Sequence, residues 1–422
     1  MELPKGFIEM MSEILGPETD DFLRAMNEPP VVSVRVNGRK PTSAFAGERD
    51  VKWCDKGYYL KDRPVFTLDP LLHAGAYYVQ DASSMIYYEA TRRILSGLGA
   101  VSEDGKPLHP VGVLDMCAAP GGKTTAIIDA LPDGSRVVAN EYVGKRAGIL
   151  RENLIKWGYP DVTVTNRDSS WFAEDGGKYD IVAVDAPCSG EGMMRKEPEA
   201  VRQWSEDLID KCSSLQREIL TNAANAVAVG GFLIYSTCTF NRRENEDNAE
   251  FIAEELGLVP YDPAFPKEWG IPSGIGTSLP VSRFMPHKTE GEGLFLAIFR
   301  KPGEYVRSHI NKSAPCLCRR IEPASQACRS SRIKGGKKTR DAEPPEMERI
   351  LAVDFDKSAY VTAELDRETA LAYLRRESIV LPPVVAKGIV IVCYEGLPLG
   401  PVKNIGSRAN NLYPKNWRIL MR

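Results

Sequence analysis

Two cysteines stand in runs whose residue types suit reactive thiols: Cys188 in Asp185-Ala-Pro-Cys188-Ser-Gly and Cys238 in Ser236-Thr-Cys238-Thr. A buried cysteine is ordinarily a small hydrophobe, and Cys54, Cys212 and Cys393 are read that way. Thiol chemistry of the peptidase kind needs a histidine base, yet His73, His109, His287 and His309 all lie outside these two runs. Methyl transfer to carbon 5 of a pyrimidine makes a different demand. That carbon is a poor nucleophile until a thiolate adds to carbon 6; carbon 5 then attacks the methyl donor, a base removes its proton, and the thiolate leaves.

A second constellation is Leu114-Asp-Met-Cys-Ala-Ala-Pro-Gly-Gly-Lys-Thr-Thr125, which ends like the phosphate loop of nucleotide hydrolases. That loop requires Gly-x4-Gly-Lys, and the first glycine position is held here by Cys117. The dinucleotide pattern Gly-x-Gly-x-x-Gly is absent as well. What is left is a strand, a Pro-Gly-Gly turn and a helix. Glu141 ends the next strand and suits the two ribose hydroxyls of an adenosine; Asp168 follows the third and can accept from an adenine amino group; Asp185 ends the fourth. Each acid taken singly reads as an ordinary loop carboxylate. Together, around a glycine turn, they suit a positively charged cofactor without phosphate, S-adenosylmethionine. Its sulfonium charge and Lys123 are the candidates for favouring thiolate over thiol.

The elements that must position these groups are legible in the same stretch. From about residue 110, the runs VGVLDM, RVVANE, VTVTN, YDIVAVDAP and GGFLIYST are short, apolar and rich in β-branched residues, with helix-sized segments between them. That alternation predicts an α/β fold whose parallel sheet is covered on both faces, with GLFLAIFRK (293–301) closing it. Both cysteine runs then fall at carboxyl ends of strands, where such sheets bind ligands. Upstream, helices are expected near Phe7–Leu15 and Asp20–Met26, then a half-buried strand in which Val32, Val34 and Val36 alternate. Residues 303–346 read as a basic linker; its Cys316, Cys318 and Cys328 lack a clear fourth ligand, so no metal is expected. After residue 347 compact sequence resumes, with a helix near Arg367–Arg376 and the strand GIVIVCY.

DMCAAPGGKTT, DAPCSGEGMMRK and YSTCTFNRRENE resemble the motifs of the RNA cytosine-5 methyltransferases of the Nol/Nop/Sun type, over about Val32 to Lys301. PHKTEGEGLFLAIFRK and the tail GLPLGPVKNIGSRANNLYPKNWR resemble the bacterial ribosomal-RNA branch of RsmF type, whose C-terminal part is a PUA-like RNA-binding domain. The resemblance implies a Rossmann-like methyltransferase core with a mostly parallel seven-stranded sheet at residues 101–302. It also implies an RNA-binding lobe at 1–100 and a PUA-like α+β domain at 347–422. It implies Cys238 as nucleophile, Cys188 as the cysteine of product release, and Asp185 as the group holding the ring near nitrogen 3, with Lys123 beside them. Cofactor residues carry over as Cys117, Ala118, Ala119, Pro120, Gly121, Gly122 and Lys123, then Glu141, Asp168 and Asp185. Ala186 stands where many relatives have a second proline, which predicts a slightly less rigid loop.

The chain has 422 residues, 43% hydrophobic and 26% charged, and is expected to fold as a cytoplasmic, monomeric enzyme without membrane contact. Its net charge of −3 hides an asymmetry: residues 301–341 carry eleven Lys/Arg against three Asp/Glu, and residues 387–422 six against one. With Tyr394, Tyr413 and Trp417 nearby, that pattern fits a nucleic-acid surface or, equally, an ordinary basic one. Arg195, Lys196, Arg242 and Arg243 flank the cysteine runs and are candidate phosphate contacts. The expected partner is ribosomal RNA or the small ribosomal subunit. Transfer RNA, or a noncatalytic role in ribosome assembly, are the alternatives.

Overall fold

A computed structural model describes residues 2–102, 104–174, 177–305, 307 and 344–421. The first strands, β1 (Ser33–Val36), β2 (Arg49–Val51), β3 (Cys54–Tyr59) and β4 (Tyr77–Val79), form an antiparallel sheet in the order β2-β3-β1-β4. The two expected helices precede it, at Lys5–Leu15 and Thr19–Asn27. Their apolar faces, Phe7, Met11, Phe22 and Met26, do not join that sheet. They pack instead on Met194 and Phe240, which belong to the segments carrying the two cysteines.

β1 departs from the half-buried strand that the valine alternation predicts. Ser33, Val34 and Arg35 are all buried, so both faces are covered. Arg35 is tolerated there because every arm of its guanidinium has a partner. It pairs with Asp129, donates from Nε to Gln80 Oε1 at 2.8 Å and from Nη2 to Thr125 Oγ1 at 2.5 Å, and lies 4.7 Å over the Trp157 ring. Asp129 and Thr125 lie on the helix that begins at Gly122, so this one buried cation fastens the N-terminal sheet to the helix bearing Lys123.

The central sheet is built from β5 (Gly112–Asp115), β6 (Arg136–Asn140), β7 (Val162–Thr165), β8 (Tyr179–Asp185), β9 (Val227–Thr237), β10 (Val259–Pro260), β11 (Ser282–Phe284) and β12 (Leu294–Arg300). Its hydrogen-bonded path is β10-β12-β9-β8-β5-β6-β7, seven strands, with β11 as an eighth beside β12. β5 to β9 run parallel, and β12 closes antiparallel to β9. Alternate residues face opposite layers, as a doubly covered sheet requires. Ile181 and Ala183 pack toward the helices Ile86–Gly97 and Gly122–Ala130, while Val182 and Val184 pack toward Glu206–Ala226 and Glu246–Glu254. The path turns back at β5, which lies between β6 and β8, so a ligand crevice opens at their carboxyl ends. β10 and β11 were not anticipated: at two and three residues they carry too little pattern to register.

At the C-terminus, β13 (Val361–Glu364), β14 (Gly388–Tyr394), β15 (Leu397–Asn404) and β16 (Ala409–Asn411) form a sheet in that order, with the helix Arg367–Leu374 between β13 and β14. Asp366 caps this helix by accepting from Thr369 N–H at 2.8 Å. Arg376, expected inside the helix, instead takes the left-handed conformation (φ 65°) just beyond its end. The unit docks on the N-terminal sheet. Tyr394 and Leu397 pack near Phe66, Leu71 and Tyr77, and Arg367 Nη2 donates to Leu68 O at 2.9 Å. Tyr413 corrects the reading of a basic-aromatic surface: it is 1% exposed, wedged edge-on between Tyr373 and Trp417, and so offers no face to a base. Residues 308–343 of the basic linker, including Cys316, Cys318 and Cys328, lie outside the described residues. Among the described residues no helix is long and apolar enough to cross a membrane.

Candidate active site

β5 delivers the loop Met116–Gly121 to the crevice, and Gly121 begins the following helix with φ 112°, a conformation that disfavours any side chain. Lys123 sits in the first turn of that helix. Its Nζ lies 2.7 Å from Asp185 Oδ2, at the end of β8. Burial opposes the ammonium charge, but Asp185 outweighs it and holds the Lys123 pKa above the usual lysine range. The second oxygen, Asp185 Oδ1, accepts from Ser236 Oγ at 2.8 Å.

The two cysteines meet because β8 and β9 are parallel neighbours in which Asp185 is paired with Ser236. Each chain then runs on from the same edge, and Cys188 Sγ comes to 3.2 Å from Cys238 Sγ although fifty residues separate them. The contact with Cys238, and then burial, push the Cys188 thiol well above its ordinary pKa, so Cys188 keeps its proton. Two fully buried carboxylates sew the loops together. Glu191 accepts from Phe240 N–H at 2.6 Å, Asn241 N–H at 3.0 Å and Trp204 Nε1 at 3.0 Å, and from the Thr239 hydroxyl. Glu244 accepts from Ser189 N–H at 3.0 Å, Gln216 Nε2 at 2.7 Å and Asn241 Nδ2 at 2.8 Å. Buried carboxylates are costly unless their lone pairs are filled, and these are filled by groups from both loops. The inter-thiol distance therefore rests on a rigid frame.

The remaining predicted residues line the same edge. Ala118 N–H donates to Asn140 O at 2.8 Å, Arg146 Nη2 donates to Ala119 O at 2.9 Å, and Pro120 O accepts from Asn153 Nδ2 at 2.8 Å. Glu141 is buried, accepts from Val143 N–H at 2.8 Å and lies 3.3 Å from Arg146 Nη1. Asp168 is exposed, and the Ser170 hydroxyl (2.6 Å) holds its carboxyl below the usual range. Cys117 is half-buried and packs against the apolar layer beneath the sheet; burial pushes its thiol far up.

The four candidate phosphate contacts all pair with carboxylates of the protein, but only the Arg195 side chain is buried by it; Lys196, Arg242 and Arg243 stay partly exposed. The Arg195 side chain is 4% exposed, 3.2 Å from Glu292 and bonded to the Ala25 carbonyl; Lys196 lies 3.4 Å from the same Glu292. Arg242 pairs with Asp247 at 3.3 Å, and Arg243 with Asp210 and Glu206 at 2.7 and 2.9 Å. Glu292, Glu206 and Asp210 come from elements distant in sequence, so a local count of charge could not reveal them as partners of Arg195, Lys196 and Arg243; Asp247 is only five residues from Arg242.

Comparison with known proteins bears on all of this. A family model described as 16S rRNA methyltransferase RsmB/F matches residues 106–300, one for the N-terminal domain of RsmF matches 3–82, and one for the RsmF PUA domain matches 360–419. Ribosomal RNA small subunit methyltransferase F of Cronobacter sakazakii is 28% identical over 98% of this chain and 96% of its own. The protein of the same name in Vibrio cholerae is 32% identical over 74% of this chain and 67% of its own. The chain belongs to the RsmF methyltransferase family. A solved methyltransferase homolog from Pyrococcus horikoshii shares the fold over 71% of this chain and 95% of its own, with a TM-score of 0.59 and 25% identity. As a member of the RsmF family the chain is a methyltransferase, and the noncatalytic reading falls.

Sequence reasoning missed Ser236, Glu191, Glu244 and Asp115. All four lie inside the quoted motifs, but nothing in their spacing marks them as partners. Asp115, at the end of β5, is 1% exposed and accepts from Thr124 Oγ1 at 2.6 Å. Burial pushes its carboxyl from 3.8 to about 7. Between those values the native protein binds a proton that the unfolded chain has released, so this group's contribution to stability falls as pH rises through the window. Above it the buried charge costs of order 4 kcal/mol. Asp115→Asn is therefore expected to raise the thermal midpoint at pH 8 and to leave it unchanged near pH 4. An equal midpoint at both values would remove the assignment.

Proposed function

We propose that the protein transfers a methyl group from S-adenosylmethionine to carbon 5 of a cytosine in small-subunit ribosomal RNA, through a covalent adduct on Cys238. The observation that carries this reading is the pair of thiols 3.2 Å apart, next to the Lys123–Asp185 ion pair. A single thiol would serve many chemistries; a nucleophile with a protonated partner suits addition to carbon 6 followed by elimination.

The donor set fits the cofactor. Lys123, which would meet a phosphate in a nucleotide hydrolase, is already neutralised by Asp185, while Glu141 and Asp168 offer acceptors at the ends of β6 and β7. Loop 117–123, Glu141, Asp168 and Asp185 would hold S-adenosylmethionine, which supplies an electrophilic methyl group when bound. The protein's own part is then clear. Cys238 thiolate forms a bond to carbon 6 and Asp185 holds the ring edge near nitrogen 3; once carbon 5 carries the methyl group, a base takes its remaining proton, the C–H electron pair re-forms the ring double bond, and the carbon–sulfur bond breaks to release the thiolate. Cys188, keeping its proton, stands beside the departing sulfur. The base must be unpaired or flipped to reach the thiols, at a cost of a few kcal/mol that backbone contacts elsewhere offset. The N-terminal region and the PUA-like region are the sources we assign to those contacts.

Support for the RNA class comes from the relatives, which are named for the small-subunit ribosomal RNA they methylate. The test is to incubate protein, S-adenosylmethionine labelled in its methyl group, and small subunits lacking the modification, then digest to nucleosides. Label is expected in 5-methylcytidine of ribosomal RNA. Label in any other nucleoside, or in transfer RNA alone, would replace the reading.

A further inference from the structure

Tyr87 is completely buried on the helix Ile86–Gly97, outside every sequence motif that carries the chemistry. Its hydroxyl oxygen lies 2.7 Å from Ser236 Oγ, and Ser236 Oγ lies 2.8 Å from Asp185 Oδ1. Counting protons gives the direction of these bonds. An ionised carboxylate only accepts, so Ser236 donates to Asp185. Its hydroxyl has one proton, now spent, so the Tyr87 O–H must donate to Ser236. Burial and the nearby Asp185 keep Tyr87 protonated far above neutrality, which preserves this donor.

We infer that Tyr87 is a positioning residue for the methyl-transfer site: acting through Ser236, it fixes which oxygen Asp185 gives to Ser236 and which to Lys123, and so sets how the carboxylate meets the target ring. This rests on the proposed reading that Asp185 contacts the base. The ring also contributes, with Lys123 Nζ 5.9 Å above it, so Tyr87 bounds the ion pair from one side and completes its hydrogen bonding from the other. Without the phenol O–H, the Ser236 hydroxyl is no longer obliged to point at Asp185, and the carboxylate loses an oriented donor.

Tyr87→Phe keeps the ring and its packing and removes one hydroxyl. The other titratable groups around the Lys123–Asp185 pair, namely Asp115 and Cys117 from β5 and its loop, and Cys188 and Cys238 beyond the strand ends, are unchanged in the variant. The expected result is a kcat about tenfold lower, and an acid limb of the kcat–pH profile displaced to higher pH, because a carboxylate that loses a donor is easier to protonate. In a Ser236→Ala background the same change should do nothing further. Wild-type kcat and pH profile in Tyr87→Phe, or additive effects in the double variant, would overturn the inference. A carbon-13 titration of the Asp185 carboxyl separates this from the functional reading: an upward shift in Tyr87→Phe is expected whichever nucleoside is methylated, and no shift overturns the inference even if 5-methylcytidine is made.

Discussion

Cys238→Ala is expected to lower methyl transfer by on the order of 10^4-fold or more while leaving S-adenosylmethionine affinity within about twofold. The asymmetry follows from the geometry. Cys238 lies beyond β9 against Cys188, whereas the residues assigned to the cofactor belong to loop 117–123 and the ends of β6, β7 and β8. Alanine removes the thiol proposed to add to carbon 6 and puts no charge or bulk into the cofactor's part of the crevice. The loop should keep its place, since Glu191 binds the backbone N–H groups of Phe240 and Asn241 rather than the thiol. Single-turnover transfer and calorimetric binding measured on the same preparation check both halves. Retained transfer in this variant would refute the covalent route, and lost cofactor binding would place Cys238 in a different role.

Cys188→Ala should do the opposite and let chemistry start without finishing. With Cys238 intact, addition to carbon 6 and methylation proceed, but the sulfur that must leave no longer has a protonated thiol 3.2 Å away. The enzyme is expected to accumulate on RNA as a complex stable to denaturing electrophoresis, dependent on S-adenosylmethionine. Cys188→Ala combined with Cys238→Ala should show no such band. Normal turnover by the single variant would mean that Cys188 is packing material and that its raised pKa has no catalytic consequence.

How much of this could be read without coordinates depends on the kind of information involved. Periodicity and residue type are local, and they were enough for the six longer strands of the central sheet, the two leading helices, the strand Gly388–Tyr394 and the placement of Cys188 and Cys238 at strand ends. Rejecting the phosphate loop needed only the residue at position 117. The C-terminal helix was recognisable too, but its end was not, because a non-glycine residue in the left-handed conformation leaves no sequence mark.

What sequence left open is pairwise. Strand order in a parallel sheet is not encoded in any one strand, so only the adjacency of β8 and β9 turns two separate motifs into a thiol pair. Arg35 shows the same limit: an arginine in an alternating strand reads as solvent-facing until Asp129, Gln80 and Thr125 are seen to surround it. Arg195 reverses for the same reason, from a free cation to a buried partner of Glu292, and Tyr413 passes from surface aromatic to core. Tyr87 and Ser236 meet across 149 residues. Residue type and periodicity are enough to say which chemical groups this protein has and which strand ends carry them. Tertiary structure alone decided which groups touch, because burial and hydrogen bonding depend on distances in space that spacing along the chain does not specify.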